Sequence, residues 1–101
     1  MTAPSYVESL TGFARLYILR ELAKQTDGRL NDLMLHRMLD LYGIRRDRDW
    51  VKTQLRKLEG LGAIELSPAG EMFVARITRD GRDHLEERTV IEGVARPAEA
   101  D

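Results

Sequence analysis

The strongest constraint on this chain is a change of hydrophobic period that happens once and then reverses. Up to Leu61 the apolar residues recur at helical spacing; from Ala63 to Ile77 they alternate; after Thr78 helical spacing returns. A period near 3.6 buries one stripe of a helix, whereas a period of 2 buries one face of a strand. A pair of strands is therefore predicted between helical segments. Ala63–Leu66 reads as the outgoing strand and Met72–Ile77 as the return, with Phe73, Ala75 and Ile77 on one face. Ser67-Pro68-Ala69-Gly70 reads as the turn between them, Pro68 supplying the fixed φ of its second position.

The helices carry their own punctuation. Ser5 and Glu8 have the spacing of a capping box ahead of a first helix over Tyr6–Gln25. Leu10, Phe13, Ala14, Tyr17 and Ile18 form its stripe, while Leu16, Leu19 and Ala23 spread toward a second arc. Asp27-Gly28 stops it, and Arg29-Leu30 has room for a very short strand. Asn31 caps a second helix over Asp32–Tyr42, and Asp47 or Asp49 caps a third that extends to about Leu61. Val51, Leu55 and Leu58 mark the buried face of that third helix. Thr78 caps a last helix over Arg79–Arg88, and residues 89–101 read as a mobile or partner-docked tail after a domain spanning 1–88.

Helix, short strand, helix, helix, strand, strand, helix is the order of a winged helix-turn-helix. The predicted fold is α+β and mainly helical: a three-helix core, a two-stranded wing and a C-terminal helix. The run Trp50-Val51-Lys52-Thr53-Gln54-Leu55-Arg56-Lys57-Leu58-Glu59-Gly60-Leu61-Gly62-Ala63-Ile64 resembles the recognition helix and wing start of winged-helix regulators, where an L--LE--G-I pattern is usual. Ile77-Thr78-Arg79-Asp80-Gly81 resembles the L-T-x-x-G that follows the wing in the same superfamily. The whole chain, with its Val90–Pro97 segment, is similar to small ArsR-like winged-helix proteins of Mu-like bacteriophages. That resemblance implies a DNA-binding transcription regulator of phage or prophage type. Arsenic sensing through cysteine ligands does not carry over, because the chain has no cysteine.

Charge distribution agrees with a DNA partner more than the total does. The 101 residues carry a net charge of −1, yet residues 45–57 sum to +4, between a neutral stretch before them and −5 after. A local basic patch on a near-neutral chain calls for a local partner. The side of helix three opposite Val51 and Leu55 presents Asp49, Thr53, Arg56 and Lys57, with Lys52 at its edge. Such a face suits the major groove of double-stranded DNA. Arg45, Arg46 and Arg48 precede it, where they would hold flanking phosphates, and Arg76 on the second strand would add another. Against this, the wing tip holds Glu71 and no Lys or Arg, and Glu65 lies in the same hairpin. A minor-groove wing is ordinarily basic, so a protein-interaction module without DNA binding is the alternative.

The remaining readings are mostly exclusions. Trp50 and Tyr42 read as flanks of the core, large aromatics packing at the helix pair. His84 and Glu87 have i, i+3 spacing, too few groups for a stable metal site. There is no cysteine nucleophile, Gly-rich phosphate loop or H-E-x-x-H, so no enzyme is expected; no cofactor is expected, and the sequence offers no basis for naming a small-molecule effector. No apolar run reaches the roughly 18–20 residues of a membrane span, and a cytoplasmic location is expected. The second apolar arc of helix one, together with the C-terminal region, predicts a homodimer, which would present two copies of helix three to a palindromic site.

Overall fold

The computed structural model describes residues 6–100. In chain order the elements are α1 (Tyr6–Lys24), β1 (Arg29–Asn31), α2 (Asp32–Leu41), α3 (Arg48–Gly60), β2 (Ile64–Ala69), β3 (Met72–Ile77), α4 (Arg79–Leu85) and α5 (Pro97–Ala100). Three helices start where a short polar side chain turns back on the backbone. Asn31 Oδ1 accepts from the Met34 amide at 2.8 Å, Asp47 Oδ1 from Trp50 at 2.7 Å, and Thr78 Oγ1 from Gly81 at 3.2 Å. Each satisfies one of the amides that a first helical turn leaves without a partner. Asp47, not Asp49, is thus the cap of α3. The Ser5 half of the expected capping box lies outside the described residues.

The sheet has the order β1-β3-β2, antiparallel throughout, so the short strand after α1 joins the hairpin. Leu30 and Leu66 flank Ala75 from either side of the central strand, and Ile64 pairs with Ile77. The hairpin turn is tighter than the sequence suggested. Ala69 pairs with Met72, leaving Gly70-Glu71 as a two-residue loop, and Pro68 lies within β2 opposite Phe73. Gly70 has φ +64°, whereas Glu71 keeps a negative φ. A positive φ at the first central position alone is the demand of a type II′ turn, whose twist matches the strands it joins. Pro68 is tolerated because β2 is an edge strand, where a missing N–H breaks no ladder.

α1 runs through the middle of the molecule. Its deepest residues are Ala14, Leu16, Ile18, Leu19 and Leu22, all without exposed surface, whereas Leu10, Phe13, Tyr17 and Ala23 pack around the margin. Leu35 and Leu39 of α2, Val51, Leu55 and Leu58 of α3, and Ile64, Ala75 and Ile77 of the sheet complete the core. The second arc of α1, expected to lie exposed for a partner copy, is therefore covered within one protomer. α2, α3, α4 and the sheet contact α1 from different sides and bury Leu16 and Leu19 as fully as Ile18.

The segment after α4 lies back along the same body. The Ala95 amide donates to Gly12 of α1 at 3.0 Å, and Val94 and Pro97 are buried. His84 holds this segment from beneath. Its Nε2 donates to the Ala95 carbonyl at 2.9 Å, and its Nδ1 accepts from the Ile91 amide at 3.0 Å. Both ring nitrogens are thereby committed to backbone. Among the described residues there is no group of three or more His, Cys, Asp or Glu able to hold a metal ion.

Candidate nucleic-acid interface

The third helix is set in place by a buried carboxylate on the second. Asp32, the first residue of α2, has a side chain 1% exposed. Arg48 Nη2 donates to its Oδ1 at 3.0 Å, the Phe73 amide donates to its Oδ2 at 3.2 Å, and Lys52 Nζ lies 3.8 Å from Oδ2. Taking a carboxylate out of water costs several kcal/mol unless cations and donors replace the solvent. Here two cations of α3 and one amide of β3 do so, and the three elements that meet at Asp32 are fixed relative to one another.

This arrangement redistributes the cations expected to face DNA. Arg48 and Lys52 are counter-ions of Asp32. Lys52 also donates to the Glu71 carbonyl at the wing turn, 3.2 Å away. Lys52 Nζ and the Arg56 guanidinium lie over the Phe73 ring at 5.9 and 5.2 Å, so that α3 and the wing are joined by cation–π contacts as well. Glu59 Oε2 accepts from the Leu66 amide at 2.9 Å and ties the other strand to the same helix. Arg45 pairs with Asp40 at 3.6 Å, both side chains well exposed. Arg76 pairs with Glu65 at 2.6 Å, directly across the β2–β3 ladder.

What remains on the outer face of α3 is a row of exposed side chains: Asp49, Thr53, Arg56 and Lys57. Thr53 Oγ1 donates to the Asp49 carbonyl at 3.0 Å. Among the described residues neither Arg56 nor Lys57 makes an ion pair. Arg46 stands at the N-terminal side of the helix, its guanidinium 5.2 Å from the centre of the Trp50 ring. The carbonyl of Arg46 accepts from His36 Nε2 at 2.7 Å, which fixes the loop before α3 against α2. Of the nine residues expected to contact DNA, the fold leaves Thr53, Arg56, Lys57 and Asp49 on one exposed face with Arg46 beside it. It ties Arg48 and Lys52 into the α2–α3–wing junction, and it places Arg45 and Arg76 in exposed pairs on either side.

Trp50 and Tyr42 sit at the margin of the core. Trp50 is half-buried against it. Tyr42 stacks on Tyr17, with ring centres 4.4 Å apart and planes 8° from parallel, and donates from its hydroxyl to Glu21 Oε1 at 2.6 Å. That hydrogen bond, with partial burial and the Glu21 charge, holds the phenol above its ordinary pKa.

No helix among the described residues is long and apolar enough to cross a membrane. No protein-family profile and no curated protein matches the chain. Among solved structures, the chain is similar to those described as the complex structures of hsRosR-S1 and hsRosR-S4. Each gives a TM-score of 0.63 at 20% identity over 73% of this chain. The match spans 65% and 64% of the length of those two chains. At that identity the likeness is one of fold, and with the element order and sheet topology it establishes an α+β, mainly helical winged helix-turn-helix.

Proposed function

We propose that the chain is a DNA-binding transcription regulator whose α3 reads the major groove. The observation that carries this reading is the exposed row Asp49, Thr53, Arg56 and Lys57, on a helix held rigidly by Asp32 and left uncovered by the rest of the fold. Arg and Lys on such a face reach guanine edges or phosphates, and Thr53 can contact a base. Arg46, Arg45 and Arg76 flank the row. The pairs that Arg45 and Arg76 make are solvent-exposed, so exchanging a carboxylate for a phosphate costs them little. Arg48 and Lys52 act at one remove, by fixing α3 against the wing. The fold shared with the hsRosR chains supports this reading, and the resemblance to proteins of Mu-like bacteriophages supports a phage or prophage setting. A regulator of a two-fold site would act as a homodimer, placing two copies of α3 one helical turn apart.

The hairpin favours a second reading. Its strand cation Arg76 is neutralised by Glu65, and Glu71 occupies the tip, so positive potential does not continue from α3 onto the wing. A winged-helix module that binds another protein would tolerate this. Selection of binding sequences from random duplex DNA, followed by a salt series on the best of them, separates the two. Enrichment of a motif with a steep salt slope supports the regulator; no binding to any duplex at low salt supports the interaction module.

A further inference from the structure

Beside the face of α3 that carries Thr53 and Lys57, a groove of about 670 Å³ opens toward α1 and the segment after α4. That volume lies within the range of small-molecule sites. Three cations line it, Arg15, Arg56 and Lys57, against one carboxylate, Glu92. Leu61 adds a large apolar side chain, 40% exposed, and the neighbouring Gly60 leaves the floor open.

Arg15 is the unusual member. It is half-buried on α1, yet its Nε donates to Gln54 Oε1 and its Nη1 to the Gly93 carbonyl, both at 2.9 Å. Both acceptors are neutral, and among the described residues Arg15 makes no ion pair. Burial pulls its pKa below the ordinary arginine range, but a guanidinium stays charged at neutral pH. A partly desolvated cation without a counter-ion favours an anion beside it. Arg56 and Lys57 add charge of the same sign, and Leu61 offers a surface that an ion alone would leave uncovered.

We propose that this groove binds a small organic anion, a carboxylate or sulfonate carried on a compact apolar group. Arg15 and Lys57 receive the charged end, Arg56 adds positive charge at the margin from its place over Phe73, and Leu61 packs against the apolar part. The site stands independently of the DNA reading, since it needs no nucleic acid. If α3 does read DNA, Arg56 and Lys57 serve both ligands, and the bound anion and the duplex compete.

Naphthalene-2-sulfonate is a suitable probe, titrated into the isotopically labelled full chain and followed by amide chemical shifts. Saturable shifts at Thr53, Gly60, Leu61 and Gly93 are expected, with the neutral 2-naphthalenemethanol binding at least about tenfold more weakly. Gly60→Trp fills the groove from a position where an added Cβ meets nothing within 4 Å; it should keep the native spectrum and lose the probe. Lys57→Glu reverses an exposed charge and should weaken the sulfonate but not the alcohol. Absence of saturable shifts, equal affinity for the alcohol, or binding unchanged in both variants overturns the proposal.

Discussion

Arg48 Nη2 lies 3.0 Å from Asp32 Oδ1, and the carboxylate it reaches is almost wholly buried while the arginine side chain remains 41% exposed. The pair joins the start of α2 to the start of α3 and shares its carboxylate with the Phe73 amide of the wing. A basic residue at the start of a helix with a basic face is ordinarily read as a phosphate contact. Here its first task is to neutralise a buried acid, so charge counting along the sequence overstates the cations available to a nucleic acid.

Replacing Asp32 tests this directly. Asp32→Ala removes the acceptor of two hydrogen bonds, from Arg48 and the Phe73 amide, together with the counter-charge of Lys52, and leaves the Phe73 amide without its partner. A loss of about 2–4 kcal/mol is expected in urea denaturation. Asp32→Asn keeps an acceptor oxygen and should cost less. Arg45→Ala, which breaks only an exposed pair, should stay within about 0.5 kcal/mol of the unmodified protein.

On duplex DNA the exposed row and the junction should separate. Arg56→Ala and Lys57→Ala should each leave the fold intact. Each should lower the salt slope of log affinity by about 0.9 if it contacts a phosphate, or cost about 1–3 kcal/mol at one base position if it reads an edge. Lys52→Ala should lose stability as well as affinity, because Lys52 faces Asp32 and the Glu71 carbonyl. Measuring denaturation midpoints beside the binding isotherms distinguishes the two kinds of loss.

Gly81 should not tolerate alanine. A Cβ there would collide with the Ala63 carbonyl oxygen and lie 2.8 Å from Ile77 Cγ1, atoms of a packed strand start and strand end. Overpacking of this kind typically costs about 1–3 kcal/mol. Gly81→Ala should therefore lower the melting temperature, whereas Gly60→Ala, with open space around it, should hold or raise it.

His84 should control the segment that follows α4. His84→Ala removes both the acceptor for the Ile91 amide and the donor to the Ala95 carbonyl. Hydrogen exchange should quicken at Ile91 and at Ala95, whose own amide is held by Gly12. Exchange in the α3 core around Leu55 should be much less affected, because local opening of a terminal segment need not unfold the rest.

Much of the architecture was legible from local signals. The caps at Asn31, Asp47 and Thr78 act within three residues, and the switch of period at Gly62 is a property of neighbouring positions. The alternating pattern predicts the hairpin, but its loop lies at Gly70-Glu71, later than the Ser67–Gly70 signal implies. Pro68 carried a turn signal, whereas the edge position that makes a proline harmless within β2 depends on which strand becomes central. The role of Gly81 was visible only as part of a pattern; the reason for it is how closely α4 approaches Ala63.

The sequence by itself determined which segments are helix or strand and which helix presents a basic face, because periodicity and capping are local. Tertiary structure decided which cations on that face remain free, and that both arcs of α1 are covered. Arg48 meets a carboxylate 16 residues away, and Phe73 meets the same carboxylate across 41. Arg15 meets its neutral acceptors on α3 and Gly93 at separations of 39 and 78. Electrostatic partnership follows distance in space, and along a chain of alternating signs that distance cannot be read until the fold has closed.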